Sequence, residues 1–266
     1  MLAVLPLTVL RSSLLMNWLP PNGALHGIAL DHLMRWNLAV LFWLFVASQI
    51  LILLAMFRRR SAKKSAASGQ QRITRLFILA ELLPLLAITA LYLWMVFTSH
   101  KLWAARRESM STPQSIQVEV TGVQFQWYFR YPGNDGVYGA TRPGLINAPA
   151  GNPLGVDPND PRSADDIVSA VLMLPVDRPV DLRLRSIDVI HGLFIPGMRL
   201  KQDAVPGMTG HLAFTPTTPG DYPILCSQVC GLGHNRMQAR LRVVSQGDYD
   251  RWLAARERAL AAEARP

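Results

Sequence analysis

Two long apolar stretches dominate the first hundred residues. Trp36 to Phe57 runs 22 residues without a charge (WNLAVLFWLFVASQILILLAMF), and Leu76 to His100 carries one charge, Glu81, followed by 19 uncharged residues. A helix rises about 1.5 Å per residue, so either stretch is long enough for about 30 Å of hydrocarbon. Neither shows the polar face that a half-buried helix of a soluble protein keeps along its length. The pattern predicts a transmembrane helical hairpin over residues 34–101.

After His100 the period changes. Short segments of alternating character, bounded by Gly, Pro and Asn, predict strands at 116–132, 168–174, 179–186, 210–217, 221–225 and 237–245. Residues 102–246 therefore read as one all-β unit, a sandwich or barrel. The stretch 133–167 breaks the alternation with Gly, Pro, Asn and Asp, and reads as a long surface insertion. Residues 247–266 place an acidic first turn before strong helix formers, which predicts a C-terminal helix. Residues 1–33 are apolar at the start but lack a basic leader, and read as an exported N-terminal segment, either a signal or a tail.

Charge changes the picture once it is located. The formal net charge is +9, but Arg58, Arg59, Arg60, Lys63, Lys64, Arg72 and Arg75 lie between the apolar stretches with no acid among them. Short loops this basic stay on the cytoplasmic side. The loop 58–75 is thus placed inside, with both termini and the β-domain on the outer, periplasmic side of a bacterial cell membrane. Residues 101–266 carry 18 Arg and Lys against 16 Asp and Glu. The basic excess is a topology signal, and no nucleic-acid partner is implied.

The candidate chemistry sits in CSQVCGLGHNRM, residues 226–237. The only two cysteines, Cys226 and Cys230, are followed by His234 and Met237. In an oxidising exterior a disulfide is one reading of the pair, although it leaves His234 and Met237 unexplained. A metal site is the other. Thioether sulfur suits zinc poorly, whereas copper accepts thiolate, imidazole and thioether together. Two thiolates can bridge two copper ions if a second imidazole arrives from elsewhere, and His191, in DVIHGLFIPGMRLKQDAVPG, is the candidate. His26, His32, His100 and His211 have no second ligand at a recognisable spacing.

The block around His191 and the block PGDYPILCSQVCGLGHNRM, together with the aromatic segment VQFQWYFRYP and the paired membrane helices, resemble subunit II of the haem-copper cytochrome c oxidases. The order of these features matches along most of the chain. The resemblance implies a cupredoxin fold, a Greek-key barrel behind a two-helix anchor. It also implies a dinuclear copper centre of the kind called CuA. Cys226 and Cys230 would bridge, His191 and His234 would be the terminal imidazoles, and Met237 and the backbone carbonyl of Gln228 would be weak axial ligands. Most of the family carries glutamate at the position of Gln228, where its side chain also serves a magnesium site, so that contact is in doubt here.

The same resemblance implies that electrons from reduced cytochrome c enter near Trp127, matched to an exposed tryptophan, with Tyr128 nearer the copper loop. They would pass to haem in subunit I, which reduces oxygen and translocates protons. Taken as a bare strand, the aromatic run reads as core. Asp203 matches an acidic docking position, and Asp157, Asp160, Asp165 and Asp166 either add to that surface or are merely solvated. Glu81 lies three residues before Pro84, off the family's spacing for a proton-channel acid, so a structural acid near the membrane edge is an equal reading. The chain offers no haem ligands of its own at a suitable depth in the membrane.

Three rival readings share parts of the pattern. A quinol oxidase subunit would lack the ligand set that is intact here. The copper subunit of a nitric oxide reductase would look nearly the same, and its large partner subunit would tell them apart. A membrane-anchored copper chaperone would show a βαβ pattern and no methionine at Met237.

Overall fold

The computed structural model describes residues 19–61, 70–109 and 114–263. Two units emerge, one made of residues up to Gly27 together with Ser109 onward, the other of Ile28–Glu108. The second unit is a pair of helices, α1 (Leu25–Ser61) and α2 (Gln70–Ser109), each long and apolar enough to cross a membrane, with none of the apolar window buried. Trp36, Trp43, Phe45, Leu83, Leu93 and Phe97 all stand largely exposed, as lipid-facing side chains do. Pro84 lies inside α2. Lys63 and Lys64, and the side chain of Glu81, fall outside the described residues.

α1 begins at Leu25, nine residues before the expected start at 34, and α2 ends at Ser109, past the expected 101. Ahead of α1 the chain is not a free tail. Gly23 N donates to Gly197 O at 2.8 Å, Thr217 N donates to Gly23 O at 2.7 Å, and Arg199 Nη2 donates to Pro20 O at 2.8 Å. Ala24 is fully buried and bridges to Pro216. Residues 20–24 are thus a strip laid along the β-domain.

The first unit is a β-sandwich. Its strands are β1 (Ile116–Val123), β2 (Gln126–Tyr131), β3 (Ile167–Ser169), β4 (Val171–Pro175), β5 (Val180–Ser186), β6 (His191–Ile195), β7 (Leu200–Ala204), β8 (Gly210–Phe214), β9 (Gly220–Cys226) and β10 (Gln238–Val244). One sheet orders as β3-β2-β1-β5-β8 and the other as β4-β10-β9-β6-β7. β1 and β5 run parallel, as do β4 and β10, and the remaining pairs are antiparallel. Val118, Val120, Phe129, Leu182 and Leu184 of one sheet and Leu172, Leu174, Leu193, Ile195 and Leu241 of the other are buried at 4 % exposure or less and form the shared core.

Several strands differ from the expectation. The aromatic segment 116–132 is two antiparallel strands turning at Gln124 and Phe125, paired so that Gly122 faces Trp127. The segment 168–174 is also two strands, β3 and β4, and they belong to different sheets. Ser169 makes the corner, its Oγ donating to Val171 O at 2.8 Å and accepting from Val171 N at 3.1 Å. Such switching between sheets is how a sandwich turns its corners. α3 (Gln246–Glu263) starts where Asp248 N donates to Ser245 Oγ at 3.2 Å, an N-cap. Trp252 of α3 stacks edge-on with Tyr131 at 5.0 Å, and the Tyr131 hydroxyl bonds the Met173 backbone on the facing sheet.

Candidate metal centre

Three segments converge at one end of the sandwich: the start of β6, the loop after β9, and the β1–β2 turn. Leu193 pairs with Cys226 across β6 and β9, and beyond that pair Ser227 N donates to Gly192 O at 2.8 Å. This lays the loop 226–237 along β6, so that His191 meets the cysteines although 35 residues separate it from Cys226. The loop closes with a single helical turn at His234–Arg236 before β10, and Cys226 N donates to Met237 O at 3.2 Å.

The cysteines are free. Their sulfurs lie 3.8 Å apart, well beyond the roughly 2.05 Å of a disulfide. One ligand atom each from His191, Cys226 and Cys230 falls within 4.8 Å of the others, so all three could serve one ion or a pair. His234 Nδ1 lies 3.8 Å from Cys230 Sγ and the buried Met237 Sδ lies 3.7 Å from it. The backbone oxygen of Gln228 is 3.2 Å from Cys226 Sγ. All six expected ligands are therefore gathered.

The donor chemistry fits a soft metal. His191 is 0 % exposed; its Nε2 bonds Asp188 Oδ1 at 2.8 Å while its Nδ1 is buried with no hydrogen-bond partner. A buried imidazole nitrogen left unpaired is costly unless something accepts its lone pair. A metal ion would do so, and the carboxylate on the far nitrogen is the support that ligating histidines habitually have. Desolvation works against the Asp188 carboxylate, but the bonds from His191 and from the backbone N of Gln124 and Val189 hold its pKa below the usual range. Burial, reinforced by the hydrogen bond with Cys226, pushes the Cys230 thiol up to about 11. Without a metal Cys230 holds its proton, and binding must displace it.

Gln228 turns its two polar ends in different directions. Its carbonyl faces the sulfur of Cys226, and its side-chain amide donates to Asp203 Oδ2 at 2.9 Å. Asp203 is half-buried in this bond. Two acids of the insertion face inward, Asp166 paired with Arg130 and Asp157, whose Oδ2 meets Arg142 Nε at 2.8 Å, while Asp165 Oδ2 accepts from Asn134 N at 2.7 Å nearer the surface. His211 Nδ1 pairs with Asp181 at 3.0 Å, away from the cluster.

Trp127 requires a correction. The indole was expected to be exposed, but it is 0 % exposed. Alternation along β2 sends Trp127, Phe129 and Tyr131 into the core and Tyr128 to the opposite face, where it is half-buried opposite Thr121. No described contact joins Tyr128 to the sulfurs. Trp127 instead packs beneath the site, its ring centroid 5.8 Å from that of His191 in an edge-on arrangement. The ring that does reach solvent is Phe125, 38 % exposed and seated against Gly231 and Gly233 of the ligand loop. Gln124 Nε2 beside it donates to Cys230 O at 2.6 Å. Sequence reading passed over Gln124, Phe125 and Asp188; the DxxH spacing of Asp188 and His191 was the available signal.

Gly122 makes the Trp127–His191 contact possible. A Cβ there would stand 2.7 Å from His191 Cδ2 and 3.1 Å from Trp127 Cζ3. Gly122→Ala is expected to displace the imidazole and cost about 1–3 kcal/mol by overpacking. Chemical denaturation, paired with copper affinity, measures both effects.

A β-sandwich carrying two thiols, two imidazoles and a thioether at one end, behind two membrane-length helices, is a membrane-anchored protein with a cupredoxin-like domain. Residues 116–244 match the family model described as cytochrome C oxidase subunit II, periplasmic domain. Over those residues the chain carries the periplasmic domain of cytochrome c oxidase subunit II, a domain that is copper-binding in general. It is 40 % identical over 141 residues to an alternative cytochrome c oxidase subunit 2 of Bradyrhizobium diazoefficiens, covering 52 % of this chain and 50 % of that one. With a cytochrome c oxidase subunit 2 of Synechocystis sp. the identity is 34 % over 140 residues, 53 % of this chain and 33 % of that one. The chain thus spans half or less of the length of these relatives. A crystal structure of the periplasmic domain of subunit II of cytochrome oxidase from Bradyrhizobium japonicum aligns with a TM-score of 0.42 at 23 % identity, covering 57 % of this chain and 99 % of that one.

Proposed function

We propose that this chain is the electron-accepting subunit of a respiratory haem-copper oxidase, holding a dinuclear copper centre between Cys226, Cys230, His191 and His234, with Met237 and the Gln228 carbonyl as weak ligands. The observation that carries this reading is the pair of unbridged sulfurs 3.8 Å apart, facing a buried imidazole whose Nδ1 has no other partner. Two copper ions held there would supply a site that takes up and gives back one electron with little change in bond length.

The chain's own residues define how such a centre is held. Asp188 fixes the proton of His191 on Nε2, which leaves Nδ1 free to ligate. β6, β9 and β10 anchor both ends of the ligand loop in hydrogen-bonded sheet, which would hold the two sulfurs in place around a bound metal. Phe125 and Gln124 cover the loop from the β1–β2 turn and keep water off Cys230, which is 4 % exposed. Val229 and Leu232, at the rim, stand almost fully exposed and give an apolar surface for a protein partner.

Reduced cytochrome c is the donor in this reading, and haem in subunit I of the same oxidase is the acceptor, where oxygen is reduced and protons are translocated. Trp127 lies under His191 and would act from beneath, as a packed ring between the β2 core and the ligand. The basic stretch 58–75 puts the turn between the helices in the cytoplasm and the copper domain on the periplasmic side. Full-length chain reconstituted with copper is expected to show a paramagnetic resonance spectrum with one electron shared equally by two copper nuclei. A single-copper spectrum would remove the dinuclear centre from the account.

A further inference from the structure

The insertion over 133–167 borders an open groove that the metal site does not use. Asp160 Oδ2 accepts from Ala140 N at 2.8 Å and Asp166 Oδ2 from Gly139 N at 3.0 Å, which fixes residues 136–141 as a wall. Facing that wall is the outer side of β1 and β5, where Glu119, Arg183 and Arg185 alternate with core positions. Between wall and sheet lies the groove, about 410 Å³ in volume, also lined by Arg130 and Tyr138.

Its polar groups are unevenly matched. Glu119 is already held by Arg130 at 3.6 Å and Arg185 at 3.1 Å, and Asp166 is taken by Arg130. Arg130 is 1 % exposed, yet its Nε has no partner. The Tyr138 hydroxyl is buried and also without one. Arg183 rests 5.1 Å from the centre of the Tyr138 ring and has no carboxylate partner among the described residues. Burial raises the Tyr138 phenol well above its ordinary range, so it remains a proton donor at neutral pH. Asp166 Oδ1 beside Arg130 is likewise buried without a partner, so two unpaired donors and one unpaired acceptor occur in this region, which native structures rarely leave unmatched.

We propose that this groove binds a small ligand bearing a phosphate or carboxylate group, with Arg183, Arg130 and Tyr138 as its donors. Guanidinium forks match the paired oxygens of such groups, and the volume falls in the range of small-molecule sites, about 300–1,000 Å³. The ligand accepts from the orphaned groups without displacing any existing ion pair. The insertion is then a built wall of a second site, separate from the copper ligands.

The test is calorimetric titration of the full chain, held in discs of neutral phospholipid, with inorganic phosphate at low salt. One saturable site is expected, weakened at least about tenfold by Arg183→Gln and by Tyr138→Phe, since each removes a donor to a charged group. Arg183→Lys should recover part of the loss. Tyr138→Phe should also raise the melting temperature of the phosphate-free protein, because it deletes an unpaired hydroxyl, a result that a merely structural role for the hydroxyl would reverse. Repeating the titration in discs containing anionic phospholipid separates two sources of the same chemistry: competition assigns the occupant to a lipid headgroup, and unchanged affinity assigns it to a free solute. Absence of saturable uptake in neutral discs, or equal uptake by wild type and both variants, overturns the proposal and leaves the groove to water.

Discussion

Cys230→Ser is expected to abolish the two-copper signal outright. Cys230 Sγ lies 3.7–3.8 Å from Cys226 Sγ, His234 Nδ1 and Met237 Sδ, so it is the sulfur on which the other ligands converge. A serine hydroxyl is a hard donor with no thiolate character, and copper retained by Cys226 and an imidazole would be mononuclear. Quantitative copper analysis with paramagnetic resonance measures the change: about one equivalent in place of two, with the electron on a single nucleus. The fold should survive, because serine replaces a thiol of similar size within the ligand loop. Two equivalents retained by the variant would show that Cys230 is not a bridging ligand.

Trp127→Ala is expected to cost the β-domain about 3–5 kcal/mol, the usual loss when a fully buried indole leaves a cavity. The same change removes the ring packed against His191, so copper affinity should fall together with stability. Trp127→Phe separates the two roles. It keeps an aromatic ring in the core and recovers most of the stability, while loosening the contact with the imidazole. If the indole serves electron entry, Trp127→Phe will slow reduction by cytochrome c even in fully metallated protein, and stopped-flow reduction is the measurement. An unchanged rate would confine Trp127 to packing.

The site was legible because its residue types are chemically rare and lie close together. Cys226, Cys230, His234 and Met237 fall on one loop, and His191 announces itself within a hydrophobic run. The helices were equally plain, since lipid leaves a composition signature that no tertiary contact can disguise. Burial of Trp127 was not plain, because alternation gives two faces without saying which is core. Here both faces of β2 are covered, Trp127 by the sandwich and Arg130 by the insertion, so polarity was a poor guide to depth. The resemblance then favoured exposure, where the bare strand argument had favoured core.

The break at Gln124 and Phe125 was missed for a related reason. The segment 116–132 alternates with one change of phase at Gly122–Val123, and the turn itself contains neither Gly nor Pro to mark it. What makes the turn work is distant in sequence: Asp188 Oδ2 accepts from Gln124 N at 2.6 Å, and Cys230 O accepts from its side chain. The inward acids of the insertion were hidden in the same way. Asp166 is one more loop acid until Arg130, 36 residues earlier, is placed beside it.

The strip at residues 20–24 bears on the order of events at the ribosome. Ala24 closes its bridge with Pro216, about 190 residues later in the chain. At roughly 5–20 residues per second, that partner is synthesised some 10–40 s after Ala24. Throughout that interval the backbone groups of Gly23 lack their partners at Gly197 and Thr217, and both apolar helices are synthesised before the sandwich can be sealed.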